Sequence, residues 1–495
     1  MDWGSNVTYL GSTTLKERAV QFGIKDADRL RHFCVLGKSN SGRAELIVQM
    51  ALQDIERGLG TVLLDASGKA APLLIERVDE SLKDKIIYLD PSSAEYPYSW
   101  NVLEDIRTLP DHTQVPMLSQ LLASIYHVEL SDFITYAAGL LLKNTEATLI
   151  TFYGLITDHA VREKFFEKDE KGKKDFEERL ASHPEVVTVL EEEGRYVAKD
   201  TLVRNLLGQS SSKFNLATLA EGKILIVDFS HIRIFPTRMT PLVRTFVDVV
   251  RALGEHNSTP VSLYMQDCLR YLSESEIERT FASKKIAISV ADTIVQEDDR
   301  ERREFAISRC GSIASFATHP SDKAIIERAF YPYTDSDELT QLDAGEMIMA
   351  LTIDDIRARP FFAKALPLPE RKHVAYQDVI IDARNAYTTP RVKVDALFKN
   401  QKGDGKDNAP PERRRGPGGF QDAFRSIMAN RAQNMPLNDS ANKKNTTKGE
   451  DSKEDTKKES SQKKEDTAKK EETKKNEVPE DVLKKLLYVH PVPSS

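Results

Sequence analysis

The 495-residue chain is poor in several things. It has three cysteines, Cys34, Cys268 and Cys310, none in a C-x-x-C or Cys/His spacing, so neither a disulfide framework nor a zinc site is expected. Each lies in or beside an apolar stretch and reads as a small buried hydrophobe in a reducing compartment. No run of residues approaches the 18 or more apolar positions of a membrane span; Tyr136–Leu142 is among the most apolar and is far too short. Met1-Asp2-Trp3-Gly4 lacks the basic and apolar regions of a secretory signal, so a cytoplasmic protein is expected. Solenoid, collagen and coiled-coil periods are missing, and no metal ligand set stands out.

Charge is plentiful but unevenly spread. The net −7 hides a body, residues 1–370, with 43 basic and 57 acidic residues. Residues 371–440 carry 13 basic against 8 acidic, and 441–478 carry 12 lysines against 10 acids with almost nothing apolar. The last composition cannot offset the entropy of ordering and predicts disorder. Pro479–Leu487 has proline and two acids in its first turn and Val482, Leu483, Leu486 and Leu487 on one face. It reads either as a short docking helix or as a frayed turn.

Within the body, short apolar runs alternate with helical spacing. Phe33–Leu36, Thr61–Leu64 and Ile86–Leu89 predict strands, and Ala44–Arg57 and Ala71–Val78 predict helices between them. That order signals a parallel sheet covered on both faces. Residues 105–220 are helix-forming throughout and predict an all-α insertion. Strands resume at Lys223–Asp228, Val261–Met265, Ile286–Val290 and Ser312–Phe316, with Glu346–Thr352 and Pro360–Lys364 as a closing pair.

The most informative stretch joins the first strand to its helix: Gly37, Lys38, Ser39, Asn40, Ser41, Gly42, Arg43, Ala44. A phosphate-binding loop reads G-x-x-x-x-G-K-[ST] at this place. Both glycines are present, but Arg43 stands where lysine would reach the phosphates, and Ala44 stands where a hydroxyl would bind Mg²⁺. Arginine is long, planar and forked and does not simply replace a compact ammonium. Ile224–Asp228 is a second candidate for a magnesium-holding strand, because it is an apolar run ending in Asp228; the alternative is a carboxylate that caps a turn.

Around this loop the chain resembles a known family. Phe22-Gly23-Ile24-Lys25, Arg29-Leu30-Arg31-His32, Asp65, Tyr88-Leu89-Asp90-Pro91, Glu95-Tyr96-Pro97, Trp100-Asn101-Val102-Leu103-Glu104, Leu202–Gln209 and Pro360–Pro367 follow, in one order, the motifs of TraG/TraD-like coupling ATPases of type IV secretion, in the FtsK–HerA superfamily. The resemblance spans about residues 8–370. It implies an α/β, RecA-like P-loop NTPase core with a mainly parallel sheet and an all-α insertion, to which composition adds a disordered C-terminal tail. The implied segments are 1–104 and 221–370 for the two parts of the core and 105–220 for the insertion domain. A basic linker (371–440), a tether (441–478) and a terminal helix (479–495) complete the chain.

The resemblance also implies where chemistry would sit, and the chain departs there. The family's second acidic strand, L-Y-V-D-E, reads Leu263-Tyr264-Met265-Gln266-Asp267, so Gln266 replaces the metal-holding acid and Asp267 the water-polarising one. The polar sensor position is Thr293, and an arginine of the S-F-R run has become Ala317. The implied nucleotide site is therefore Gly37 to Ala44 with Asp65, and the degenerate catalytic positions are Gln266, Asp267 and Thr293. ATP and Mg²⁺ are the implied cofactors, with the departures set against their use.

Three functions follow: a coupling-protein paralogue that recruits DNA or substrate without hydrolysis, an active DNA-translocating ATPase with an atypical loop, or a scaffold working through its C-terminal extension. The implied partners are DNA, related ATPase subunits in a homo- or hetero-oligomeric ring, and secretion-system proteins, with recruitment to the inner face of the membrane through a partner. DNA contact would need local cations, in a pore lining or in 371–440, where Arg413, Arg414, Arg415, Arg425 and Arg431 are candidates; a solubilising linker is the alternative for that strip.

Overall fold

The computed structural model describes residues 6–15, 18–232, 236–293, 300–331, 341–372 and 374–401. Its centre is an eleven-stranded sheet. The strands are β1 (Val7–Leu15), β2 (Arg18–Lys25), β3 (Phe33–Leu36), β4 (Gly60–Asp65), β5 (Ile86–Leu89), β6 (Ile224–Asp228), β7 (Val261–Gln266), β8 (Ile286–Asp292), β9 (Ser312–Ser315), β10 (Glu346–Ala350) and β13 (Phe361–Ala365). Their spatial order is β2-β1-β13-β10-β9-β3-β8-β7-β4-β6-β5. A small β11 (Thr352–Ile353) and β12 (Ile356–Arg357) hairpin stands apart.

The seven strands from β9 to β5 are all parallel, and the four from β10 to β2 are antiparallel. Sequence explains the division. Every residue of β3 to β9 is buried, as continuous apolar runs under helices on both faces require. The β1–β2 hairpin is instead polar and one-sided, with Phe22 and Ile24 inward. The sequence reading did not predict it, because Gly, Ser and Thr dilute the alternation.

A short helix α1 (Asp26–Arg29) precedes β3, and helix α2 (Arg43–Glu56) follows β3 across the loop 37–42. Leu46, Ile47, Met50, Ala51 and Ile55 recur at helical spacing and are buried against the sheet. It starts at Gly42, whose φ is +113°, and ends before Gly58, whose φ is +75°. This strand–glycine loop–helix unit sits at the carboxyl edge of parallel strands. It is the RecA-like P-loop arrangement the sequence predicts.

No strand is described between β5 and β6. The helices there include Asp111–Tyr126, Asp132–Lys143, Leu149–Thr157, His159–Phe165 and Glu170–Ala181. They share one continuous apolar core with a face of the sheet: Leu64 and Val227 belong to the same cluster as Phe133, Leu141 and Phe152. Trp100 anchors the junction, stacked on Phe246 at 4.4 Å, with its indole N–H on Asp105 at 2.6 Å.

The segment expected to be a basic linker from 371 begins as folded structure. Tyr376–Tyr387 and Arg391–Gln401 are helices. Val379, Ala383 and Val394 are buried, and backbone bonds Ser99–Tyr387, Thr389–Pro97 and Arg391–Glu95 tie this stretch to the core. A few apolar residues on a largely charged background pack here because β5 would otherwise be an uncovered edge. The Arg413–Arg415, Arg425 and Arg431 strip, the 441–478 tether and the 479–487 segment lie outside the described residues. No described helix is long and apolar enough to cross a membrane.

Candidate functional site

The site forms where β3, β8 and β7 end side by side. β8 lies between the loop strand and the second motif strand. Registers Leu36↔Asp292 and Gln266↔Ala291 bring residues 43, 267 and 293 within reach of one another.

Arg43 is 3% exposed at its side chain and points into this junction. Its guanidinium donates to both oxygens of Asp267, Nη1 to Oδ1 at 2.6 Å and Nη2 to Oδ2 at 3.1 Å. Nη2 also donates to Thr293 Oγ1. Thr293 in turn donates to Asp267 Oδ1 from its backbone N at 3.0 Å and from its hydroxyl at 3.1 Å. Gln266, fully buried, donates Nε2 to Asp267 Oδ2 at 3.2 Å, and its Oε1 is buried without a hydrogen-bond partner. Four positions that the resemblance sets apart from the nucleotide motifs, Arg43, Gln266, Asp267 and Thr293, are thus joined by hydrogen bonds through Asp267. Bidentate guanidinium–carboxylate geometry is what arginine supplies and lysine does not.

Electrostatics follow from the packing. Burial opposes charge on Asp267, but the Arg43 charge and hydrogen bonds outweigh it and hold the carboxyl below its ordinary value. The neighbouring Asp292 is pushed up to about 6, first by burial and then by the Asp267 charge, with Arg303 at 3.1 Å opposing. Asp267 has φ +56°, a left-handed conformation that costs a non-glycine residue roughly 1–2 kcal/mol. Asp292 and Arg303 were not among the residues singled out from sequence. Asp292 sits beside Thr293 in the motif, but nothing in the spacing ties it to an arginine in a later helix.

The rest of the loop keeps its shape. Gly42 begins α2, and a Cβ there would stand 2.8 Å from the ring of the buried Phe316. Gly37 is packed against Ser41, whose buried hydroxyl has no hydrogen-bond partner. Lys38 and Ser39 are exposed; the Lys38 backbone N donates to Ala317 O at 2.8 Å. Asn40, at φ +63°, accepts from Lys69 Nζ at 2.7 Å.

Ala44 offers no side-chain oxygen. Asp65 accepts from Ser67 N, Ser67 Oγ and Gly68 N on one oxygen and from Ala70 N and Ala71 N on the other. Asp228 accepts from Ser230 N and Oγ and from the hydroxyls of Tyr88 and Tyr376. Asp90 forms the same turn with Ser92. Three neighbouring strands, β4, β6 and β5, therefore end in one Asp-x-Ser device that consumes the carboxylate in a turn.

The residues do not fit a Mg²⁺–nucleotide centre. Ala44 carries no hydroxyl where the motif has one, Gln266 is uncharged where the resemblance implies an acid, and both oxygens of Asp267 already accept hydrogen bonds. Among the described residues no group of three His, Cys, Asp or Glu is placed to hold a metal ion. What remains is a glycine-framed loop at the N-terminus of a 14-residue helix, which suits an anion.

No protein-family model matches the chain, and no curated protein does. Solved structures do, at low identity. The plasmid coupling protein TrwB in complex with ADP and Mg²⁺ is 16% identical, with a TM-score of 0.49 over 76% of this chain and 97% of that one. An unbound form of the bacterial conjugative coupling protein TrwB is 15% identical, with a TM-score of 0.48 over 73% and 91%. VirB4 of Thermoanaerobacter pseudethanolicus is 10% identical, with a TM-score of 0.49 over 74% and 98%.

Proposed function

We propose that the chain is a coupling-protein-like component of a type IV secretion or conjugative DNA-transfer system, and that it is a pseudo-ATPase that recruits DNA or substrate rather than powering transport. The single observation that carries the second half is the Arg43–Asp267–Thr293 cluster. An arginine at the lysine position does not reach toward phosphate; it is spent on the carboxylate that would polarise the attacking water. The first half rests on the ordered set of motifs from Phe22 to Pro367. Several of these have structural work in this chain. Arg29 is the buried partner of Asp54, Asn101 caps the Val102–Arg107 helix, and Gln209 bonds to Tyr98 O at 2.8 Å.

In this reading the loop holds its backbone shape without the parts for hydrolysis, and related ATPase subunits supply turnover in a mixed ring. DNA contact belongs to the basic residues from 413 to 431, since the body carries net −14.

The purified full-length chain, with or without DNA, should hydrolyse ATP no faster than its Arg43→Ala variant. Turnover that vanishes in that variant would overturn the pseudo-ATPase reading and leave an active enzyme with an atypical loop. The combined variant Arg43→Lys, Ala44→Thr, Gln266→Asp, Asp267→Glu restores lysine, hydroxyl and both acids, and should gain Mg²⁺-dependent turnover.

A further inference from the structure

The packing that draws Arg43 away from the glycine loop brings another cation to it. Lys69 stands in the turn after β4 and donates Nζ to Asn40 Oδ1, in the middle of the loop, at 2.7 Å. That turn is fixed from several sides. One oxygen of Asp65 accepts from Ser67 N and Gly68 N, and the other accepts from Ala70 N and Ala71 N. Gly68 has φ +73°, and a Cβ there would stand 2.5 Å from Ser230 Oγ. Asp65, which the resemblance assigns to the nucleotide site, thus holds the turn that carries a lysine to the loop.

The loop itself is prepared for an anion. Helix α2 begins at its end, and among the described residues nothing accepts from the backbone N–H groups of Gly42, Arg43 and Ala44. Ser41 is 2% exposed, and its hydroxyl faces into the loop: a Cβ at Gly37 would stand 2.6 Å from its Oγ. That Oγ has no hydrogen-bond partner, a costly state for a buried hydroxyl. Charge agrees. Arg43 and Asp267 offset each other, and Glu45 in the first turn of α2 is outweighed by Lys38 and Lys69.

Because these residues do not fit a Mg²⁺ centre, the charge that balances a phosphoryl group has to come from side chains. We propose that the glycine loop binds a diphosphate group without a metal ion, and that Lys69 supplies the cation in place of residue 43. Lys69 exchanges the neutral Asn40 oxygen for a charged phosphate oxygen, which is the stronger acceptor. The Ser41 hydroxyl and the free N–H groups donate beside it. The inference rests on the pseudo-ATPase reading in one respect, that Arg43 stays on Asp267. Such a site senses a phosphorylated ligand without consuming it.

Calorimetric titration of the full-length chain in excess EDTA tests this, with pyrophosphate, ADP and adenosine as probes. Pyrophosphate and ADP should both bind, adenosine should not, and Mg²⁺ should not strengthen the binding. ADP binding at least about tenfold tighter than pyrophosphate would make a nucleotide the source of the group; equal affinity would make it a free diphosphate. Lys69→Ala should weaken both at least about tenfold, and Ser41→Ala about threefold. Lys69→Arg keeps the charge and should stay within about threefold of the parent, which separates lost charge from lost folding. Lys25→Ala removes the same charge from β2 and should change affinity less than about twofold. The proposal is overturned if neither probe binds in EDTA, if binding appears only with Mg²⁺, or if Lys69→Ala binds as tightly as the parent. None of these outcomes depends on turnover, so the pseudo-ATPase reading falls separately, on ATP hydrolysis.

Discussion

The two ends of α2 carry the same chemistry with opposite consequences. At the C-terminal end, Asp54 accepts both arms of Arg29, at 2.6 and 2.7 Å, and bonds to Arg57 and to the Tyr264 hydroxyl at 2.5 Å. Arg29 and Asp54 are 1% and 0% exposed, and Asp26 and Thr8 complete the network. At the N-terminal end, Arg43 and Asp267 make one bidentate pair, with Asp267 21% exposed, its backbone left-handed and a Gln266 oxygen orphaned beside it. One is a fully buried, many-partnered lock between helix and sheet. The other is a partly exposed pair at the start of the helix that follows the glycine loop. A guanidinium–carboxylate bond is not by itself evidence for structure or for function; burial and backbone strain tell the two apart.

That contrast can be broken by experiment. The largest effect belongs to Asp54→Ala, which leaves the fully buried Arg29 without its carboxylate. It should lose about 5 kcal/mol of stability, read as a fall in the urea midpoint, or fail to accumulate folded. Asp267→Ala should cost less, about 3 kcal/mol, because water reaches that side. Asp267→Gly should recover about 1 kcal/mol of that loss by relieving the left-handed backbone. If Asp267→Ala costs as much as Asp54→Ala, the loop pair is as much a structural lock as the other end.

Titration sharpens the comparison further. Asp292 has a folded-state value of about 6 against an ordinary 3.8, so its protonated form is favoured in the fold. Its stabilising share is full below about pH 3.8 and is lost as pH rises through 6. Asp267 and Asp54 are both held below the ordinary value, so their shares are lost as pH falls. Asp292→Asn should therefore flatten the decline in stability between pH 4 and 6 by about 2 kcal/mol, measured by denaturation at each pH. The smallest effect belongs to the surface pair Lys25–Asp354, at 2.6 Å but 31% and 67% exposed. Lys25→Ala should change stability by less than about 0.5 kcal/mol.

How much of this was legible beforehand differs by element. The buried parallel strands were readable to within a residue or two, because each is a continuous apolar run between helices. The β1–β2 hairpin and the Tyr376–Gln401 helices were not. Their apolar positions are few, and what stabilises them is an edge of the sheet that exists only after the rest has folded. The Asp228 alternative was also open in sequence. An apolar run ending in aspartate looks the same whether the carboxylate holds a metal or closes a turn, and only the Ser230, Tyr88 and Tyr376 donors separate the two.

The sequence by itself determined that this is a glycine-loop α/β chain, and its resemblance to coupling ATPases implied that Arg43, Ala44, Gln266, Asp267 and Thr293 stand where hydrolytic residues would. Only the tertiary structure decided that four of these residues, Arg43, Gln266, Asp267 and Thr293, are joined through Asp267. Residues 43 and 267 are separated by 224 positions, and no local pattern links them. The order β3-β8-β7 sets the strand ends side by side, and burial there makes a lone guanidinium costly unless a carboxylate meets it.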